Sequence, residues 1–309
     1  MNGVPDPSLA SSADLLSVRG LTTGFGAVTV LHDLTFDVPA GQLTAILGLN
    51  GAGKSVTLKA VAGLVPAWEG DIRFEDRDIA GLAPEQRVEA GMGHVTQGRQ
   101  VFPELTVEEN LRIGAYFLRK RDKDRYRQVL DEMFARFPKL ADRRDQPAGT
   151  MSGGEQAMLA VARALMNEPK LLLVDEPSAG LAPSIVSELM GLLRDVADSG
   201  VTILMVEQNI SFALEVADRA LIMQRGQIVH GGDVDRLDRD ELARLLGIGR
   251  LLSRAVEGGD RARATNGRAR QQVVIEHRGG GWYVLPDGST VRGRQAAQEA
   301  AAELGGVVR

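Results

Sequence analysis

Short apolar runs alternate with amphipathic stretches from residue 14 to about residue 247. This alternation predicts a sheet covered by helices. The early runs predict strands at residues 15–21, 31–38 and 43–47, followed by a glycine-rich turn and a helix that begins near Gly53. Two later runs, 171–174 and 201–206, are continuously apolar and end in polar residues. They predict buried parallel strands, and open α/β sheets bind ligands at the carboxyl ends of such strands.

Residues 107–137 carry a helical pattern. Its apolar face recurs at three-to-four spacing and consists of Tyr126, Val129, Leu130, Met133 and Phe137. We therefore expect a helical insert in the sheet. The dense charges of residues 119–127 precede that face and are interpreted as solvated surface without a ligand. Short strands near 221–223 and 227–229 and a helix near 239–246 are expected to close the domain.

The chain changes character after residue 250. Residues 253–271 contain Gly, Arg and Ala without an apolar period, which is typical of a linker. Apolar runs at 273–275 and 282–285, a turn at 286–288 and an Ala-rich stretch at 295–304 predict a small strand, strand and helix module. The predicted organisation is an N-terminal tail (1–13), a main domain (14–250), a flexible Arg/Gly-rich linker (251–271) and a small module (272–309).

Composition narrows the class of protein. An apolar content of 44% over 309 residues supports a buried core. We find no apolar run of about 18 residues and no signal-peptide pattern, so we expect a cytoplasmic protein. The absence of cysteine excludes disulfides. A net charge of −5 argues against a surface that binds nucleic acid throughout, although residues 251–309 carry nine Arg against six acidic residues.

The motif GLNGAGKS, residues Gly48–Ser55, has the spacing G-x-x-x-x-G-K-[ST]. It follows a predicted strand and opens a predicted helix, as phosphate binding requires. Glycines let backbone N–H groups close round phosphates, and the helix N-terminus adds positive potential. Lys54 would reach the β and γ phosphates of a nucleotide, and the Ser55 hydroxyl would ligate Mg²⁺.

Two further motifs lie downstream. LLLVDEP places Asp175 at a strand end, where it would hold Mg²⁺ through water, and Glu176 beside it, where it would polarise an attacking water. MSGGEQ places Ser152, Gly153 and Gly154 at a predicted helix N-terminus. Their hydroxyl and backbone donors would form a second phosphate site on the same chain.

Together the three motifs resemble those of ABC ATPases, and the resemblance covers about residues 15–247. It implies an α/β P-loop NTPase with an antiparallel β subdomain and an inserted helical subdomain at about residues 100–165. The small C-terminal α+β appendage predicted above lies outside the resemblance. It also implies ATP and Mg²⁺ as cofactors and a head-to-tail dimer of ATPases. In that dimer the P-loop of one subunit and the signature of the other enclose each ATP. The signature residues here are Ser152, Gly153, Gly154 and Glu155.

The resemblance also assigns roles to single residues. Phe25 matches the aromatic that stacks on adenine, and the alternative is that it fills the core. Gln97 matches the glutamine that senses the Mg-phosphate end and couples it to the membrane domains. The implied nucleotide-binding set is Phe25, Gly48, Leu49, Asn50, Gly51, Ala52, Gly53, Lys54, Ser55, Val56 and Gln97. Ser55, Gln97 and Asp175 would hold the metal, and Glu176 and Gln208 would be catalytic.

Longer stretches, including GRQVFPELTVEENL and ILMVEQN, resemble the ATPase of branched-chain amino acid importers. This implies a peripheral subunit at the cytoplasmic face of the membrane, with two transmembrane permeases, a second ATPase and an extracytoplasmic solute-binding protein as partners. Most ABC ATPases carry His where Gln208 stands and Asp where Ala182 stands, and both departures are familiar from this subfamily. Glutamine cannot take up positive charge as imidazole can, so the action of Gln208 stays open.

Two alternatives remain for the function. VxQGR around Gln97 resembles urea and amide importers, since the branched-chain subfamily often carries Glu at this position. An ABC-type ATPase acting on nucleic acid or ribosomes would usually carry two ATPase units or a long coiled-coil insertion, whereas this sequence has one P-loop and no sustained heptad run. We therefore expect no nucleic-acid partner, although the arginines of the linker are compatible with nucleic acid or anionic lipid as well as with a solvated tether.

The C-terminal module carries one further hypothesis. A Trp282-Tyr283 pair beside a turn suggests a regulatory role, and the alternative is that Trp282 packs on Leu285 and the Ala-rich helix.

Overall fold

The computed structural model describes residues 14–98, 100–238, 242 and 244–245, and the short strands of residues 274–277, 282–284, 290–292 and 307–308. The chain divides into two compact units, Met1–Gly249 and Arg250–Arg309. The predicted N-terminal tail and linker lie outside the described residues. Of the helix expected at 239–246, residues 242, 244 and 245 are described, and they are helical.

The first unit contains two sheets, and together with the helices given below they confirm the predicted α/β class. Their strands are β1 (Asp14–Phe25), β2 (Val28–Pro39), β3 (Leu43–Leu47), β4 (Glu69–Phe74), β5 (Arg77–Asp78), β6 (Met92–Val95), β7 (Leu171–Asp175), β8 (Thr202–Glu207), β9 (Arg219–Gln224) and β10 (Gln227–Asp233). Every strand expected from the apolar runs is present.

The smaller sheet is antiparallel, with the order β2-β1-β4-β5. In β1 the apolar positions Leu16, Val18 and Leu21 are buried while intervening residues reach solvent, as expected for a strand with one face on a core. This sheet is the antiparallel β subdomain that the resemblance implied. Phe25 pairs with Val28 at the tip of the β1–β2 hairpin.

The larger sheet has the order β10-β9-β3-β8-β7-β6, and the strands from β9 to β6 run parallel. Every residue of β3, β7 and β8 is buried, which explains why their sequences are mostly apolar rather than alternating. Because β3, β7 and β8 are parallel neighbours, the segments after Leu47, Asp175 and Glu207 emerge at the same edge of the sheet.

The helices of the first unit are α1 (Lys54–Val61), α2 (Pro84–Glu89), α3 (Val107–Gly114), α4 (Tyr116–Arg121), α5 (Lys123–Arg136), α6 (Pro138–Ala141), α7 (Gly153–Leu165), α8 (Pro183–Asp198) and α9 (Ile210–Val216). In the described part of the chain, none of them has the length and apolarity to cross a membrane.

The helical character of residues 107–137 is confirmed, and the structure divides it into α3, α4 and α5. Asp122 separates α4 from α5, because its backbone is extended and its side chain accepts the N–H groups of Asp124 and Arg125. On α5, Val129, Leu130 and Met133 are buried, as the apolar period predicted.

The second unit contains a four-stranded sheet of order β13-β12-β11-β14. Its strands are β11 (Val274–His277), β12 (Trp282–Val284), β13 (Thr290–Arg292) and β14 (Val307–Val308), with β14 parallel to β11. The two strands expected from the sequence are present, and two more were not foreseen. The expected helix at 295–304 and the packing of the Trp282 side chain lie outside what the structure describes.

Candidate functional site

The phosphate-binding motif lies where β3 passes into α1. Gly53 has a φ of 108°, a conformation that L side chains rarely adopt. A Cβ on Gly48 would stand 2.4 Å from the carbonyl oxygen of Met223, so the close approach of β9 also requires glycine there. The Lys54 side chain is buried, and its Nζ donates to the carbonyl oxygens of Gly48 at 2.9 Å and Leu49 at 3.3 Å. The backbone of the loop therefore surrounds the amine of Lys54.

The hydroxyl of Ser55 meets the carboxylate at the end of β7. Ser55 Oγ donates to Asp175 Oδ1 over 2.8 Å. Asp175 is 3% exposed, and burial raises the pKa of its carboxyl, with the hydrogen bond from Ser55 acting in the opposite direction. A buried carboxylate beside a hydroxyl is an oxygen pair of the kind that Mg²⁺ prefers, and a cation there would offset the cost of burying the charge. In residues 14–98 and 100–238, no three His, Cys, Asp or Glu side chains cluster as metal ligands, so further ligands would come from a bound molecule or water.

Glu176 brings three of the predicted residues together. Its backbone is in the left-handed region with a φ of 44°, and its N–H donates to the carbonyl oxygen of Val206 at 2.9 Å. One carboxylate oxygen lies 3.5 Å from Lys54 Nζ, and the other accepts Gln97 Nε2 at 2.9 Å. A left-handed non-glycine residue is strained and persists where surrounding contacts hold it.

A cavity of about 540 Å³ opens beside this cluster. Gln97, Asp175 and Glu176 line one side, and residues of α7 and Leu189 of α8 line the other. Gln97 thus lines the same cavity as the two carboxylates and residues of α7.

Gln208 lies at the end of β8 and faces the same acid. It lines a cavity of about 250 Å³ together with Glu176, Ser178 and Asn209. Its backbone N–H donates to Glu207 Oε2 over 2.6 Å. Glu207, which is 1% exposed, was not among the residues predicted from the sequence. An acid at the last position of an apolar strand is the signal that could have identified it.

The remaining nucleotide-binding candidates lie in the β1–β2 hairpin, in the loop after β3 and in α1. Phe25 is 53% exposed, so the interpretation that it fills the core is wrong and its ring is available for stacking. Leu49, Asn50, Gly51 and Ala52 line a cavity of about 330 Å³ with Met223, Gln224, Arg225 and Leu245. Val56, in the first turn of α1, is half-buried.

The signature segment begins α7. Ser152 caps the helix, since its hydroxyl accepts the Glu155 N–H at 3.4 Å and its own N–H donates to Glu155 Oε2 at 2.9 Å. Glu155 also pairs with Arg143 at 3.0 Å, so both of its oxygens are engaged within the chain. A Cβ on Gly154 would stand 2.5 Å from a methyl carbon of Ile185, which explains this glycine by packing against α8.

Comparison with known proteins identifies the family. A family model described as ABC transporter matches residues 31–179. BraG of Pseudomonas aeruginosa, a high-affinity branched-chain amino acid transport ATP-binding protein, is 44% identical over 215 residues, which are 70% of this chain and 91% of BraG. This chain belongs to the ABC transporter ATP-binding proteins. LivF of Archaeoglobus fulgidus, a probable branched-chain amino acid transport ATP-binding protein, is 37% identical to this ABC ATPase over 72% of the chain and 94% of LivF.

Solved structures agree with the assignment. CbiO1 from Clostridium perfringens, part of the ABC transporter complex cbiONQ, matches with a TM-score of 0.67 at 27% identity, over 80% of this chain and 99% of CbiO1. A nucleotide-free ATP-binding cassette from an ABC transporter matches with a TM-score of 0.66 at 27% identity, over 78% of this chain and 98% of the cassette. The expected P-loop fold and the ATPase class are thereby confirmed.

Proposed function

We propose that this ABC ATPase binds and hydrolyses ATP to drive the uptake of branched-chain or similar hydrophobic amino acids. The observation that carries the hydrolytic part is the convergence of Lys54, Gln97 and Glu176, with the Ser55–Asp175 pair beside them. The names of BraG and LivF support the class of cargo.

In this proposal the loop from Gly48 to Gly53 and the amine of Lys54 bind the phosphates of ATP, and Phe25 stacks on the adenine. Lys54 is pre-positioned, because the carbonyl oxygens of its own loop hold its amine at the sheet edge. Such pre-organised positive groups stabilise the charge of a transferring phosphoryl group without reorganising during the reaction.

The Ser55 hydroxyl, the Asp175 carboxylate and the amide oxygen of Gln97 would hold Mg²⁺. When bound, Mg²⁺ supplies Lewis-acid charge that neutralises phosphate oxygens. Gln97 donates through Nε2 to Glu176, which leaves its amide oxygen as the atom for a cation.

Glu176 is assigned to hold and polarise the attacking water, and its contact with Gln97 links that role to the metal end of the site. Gln208 shares a cavity with Glu176, where its amide would orient the water or a phosphate oxygen by donating or accepting a hydrogen bond. Neither role requires Gln208 to carry a positive charge, which accounts for glutamine in place of histidine.

The proposed partner arrangement completes the site in trans. Ser152, Gly153 and Gly154 present donors at the start of α7, and we assign them to the ATP of a second ATPase subunit in a head-to-tail dimer. The proposal places the pair on two permeases at the cytoplasmic face of the membrane, together with an extracytoplasmic solute-binding protein. We also propose that the C-terminal residues form a separate module, which the division into the compact units Met1–Gly249 and Arg250–Arg309 supports.

A urea or amide importer is the second candidate. It is favoured by Gln97 in the stretch VTQGRQ, because this VxQGR pattern resembles that of urea and amide importers. The two candidates separate in one uptake assay on vesicles that contain the assembled transporter, with labelled leucine and labelled urea offered in parallel. ATP-dependent uptake of leucine alone supports the first, and uptake of urea alone supports the second.

The experiment that tests the hydrolytic proposal is the variant Glu176→Gln in the assembled transporter. The phosphate loop remains intact, so we expect ATP binding to be retained while turnover falls by about a hundredfold or more, because the positioned carboxylate is lost. The control is Glu132→Gln, which neutralises an exposed acid on α5 and should leave turnover unchanged. Wild-type turnover in Glu176→Gln would contradict the role assigned to this acid.

A further inference from the structure

Glu207 connects the two loops that carry the catalytic candidates. Its side chain is 1% exposed at the end of β8. Oε1 accepts the N–H of Ser178 at 3.0 Å, in the loop that follows Glu176. Oε2 accepts the N–H groups of Gln208 at 2.6 Å and Asn209 at 2.8 Å. The three donors thus come from two different loops and converge on one buried carboxylate.

The sheet register places this carboxylate beside the reaction site. Asp175 of β7 pairs with Val206 of β8, so Glu176 and Glu207 leave neighbouring strands at the same level. The N–H of Glu176 is itself held by the carbonyl oxygen of Val206. The catalytic candidate and Glu207 therefore share a strand pair, while the side chain of Glu207 reaches across to Ser178.

We infer that Glu207 is a positioning residue that holds the Glu176 loop and the Gln208 loop in one fixed arrangement around the cavity where water is activated. The inference rests on the proposed function, since it assumes that Glu176 and Gln208 act on the same reaction. Charge-assisted hydrogen bonds to backbone N–H groups are stronger than neutral ones, and catalysis requires reacting groups to be held in fixed positions.

The variant Glu207→Gln tests this because it keeps the shape and removes half of the acceptors. An amide has one oxygen and one NH₂ group, so in either orientation the NH₂ group faces a backbone N–H. The variant therefore releases either Ser178 or the pair Gln208 and Asn209. We expect the kcat for ATP to fall about tenfold, since small misplacements of reacting groups carry large rate costs. The KM for ATP should stay within about twofold, because the contacts of Lys54 do not involve Glu207.

The matched control is Asp218→Asn. Asp218 also accepts a backbone N–H, that of Leu43 at 2.8 Å, and its other oxygen pairs with Arg194 at 3.0 Å. It lies at the amino end of β3, at the opposite edge of the sheet from Glu176 and Glu207. Losing this carboxylate removes stability without touching the site. The second variant is Glu207→Asp, which keeps the charge and shortens the reach to Ser178, so it too should lower kcat.

All variants are compared in the assembled transporter by ATPase kinetics and melting temperature, and in the full chain by amide hydrogen exchange. Support consists of a lower kcat at constant KM in both Glu207 variants, faster exchange in residues 177–181 or 208–210, and normal kcat in Asp218→Asn. Wild-type kcat in both Glu207 variants overturns the inference. The inference is also overturned if Asp218→Asn melts at the same temperature as the Glu207 variants and loses as much kcat as they do. The loss would then come from general destabilisation of the protein. A wild-type protein without ATPase activity refutes the proposed function itself.

Discussion

Arg87 offers a sharp test of how the P-loop helix is anchored. Its side chain is buried, and its guanidinium donates four hydrogen bonds to backbone carbonyl oxygens. The acceptors at 2.8 Å are those of Ala60 and Val61, at the last turn of α1, and those at 3.1 and 2.9 Å belong to Leu82 and Ala80. The last carbonyl groups of a helix lack the usual partners within it. Arg87 donates to two of them, those of Ala60 and Val61, and the Ala60 oxygen also accepts the N–H of Gly63. The positive charge of Arg87 also interacts favourably with the negative end of the helix dipole.

The expected cost of Arg87→Ala follows from these bonds. Hydrogen bonds to a charged group contribute about 1.5–3 kcal/mol each, but bonds made by one group are not additive. Water that enters the vacated space forms hydrogen bonds with some of the released carbonyl groups, so the net cost is smaller than the sum of four bonds. We therefore expect the free energy of unfolding to fall by about 4 kcal/mol. At about 2–4 °C per kcal/mol for a domain of this size, the melting temperature should fall by roughly 10 °C.

The assay is thermal unfolding of the full chain followed by circular dichroism. Arg127→Ala is the control, since Arg127 is 74% exposed and makes one ion pair, with Asp124. Its removal should change the free energy of unfolding by no more than about 0.5 kcal/mol. A melting temperature for Arg87→Ala within about 2 °C of the wild type would show that the buried guanidinium does not anchor the helix.

Two further predictions concern single side chains. Phe25→Ala should raise the KM for ATP about tenfold while Phe25→Trp keeps it within about twofold, because the stacking surface is lost in the first and kept in the second; an ATP titration giving equal KM values would remove Phe25 from the site. Burial lowers the pKa of His94 to about 4, below its value of 6.5 in unfolded chains, so the unfolded state takes up the proton first. Stability should therefore be lost as pH falls from 6.5 toward 4, by at most about 1.4 kcal/mol per pH unit, and His94→Gln should show a flatter profile in urea unfolding. Parallel profiles for the two proteins would count against a buried neutral imidazole.

The reactive part of the site was predictable because its chemistry is local in sequence. The segment from Gly48 to Ser55, the Asp175-Glu176 pair and the start of α7 each need particular residue types at fixed spacing. Parallel strands then bring their carboxyl ends together, so knowing that β3 and β7 are buried strands was enough to expect one site.

The contacts of Glu207 and Arg87 were not predictable in the same way. Each binds backbone groups that lie far away in sequence, such as Ser178 for Glu207 and Ala60 for Arg87. Backbone donors and acceptors leave no signal in the sequence, so only the folded arrangement reveals them. A buried acid at a strand end was the single hint, and its partners depend on register.

The ends of several helices and strands were not predictable from the apolar pattern. The sequence predicted helical structure over residues 107–137 without its internal breaks, whereas the side chain of Asp122 caps the start of α5 and separates it from α4. In the second unit, β13 and β14 are three and two residues long, too short to show an alternating pattern.

Whether this ABC ATPase drives an importer is tested by purifying the tagged protein from detergent-solubilised membranes of its own host and identifying the co-purified proteins by mass spectrometry. We expect two polytopic permeases and a second ATPase in stoichiometric amounts. Recovery of ribosomes or nucleic-acid-processing proteins in their place would contradict the importer role.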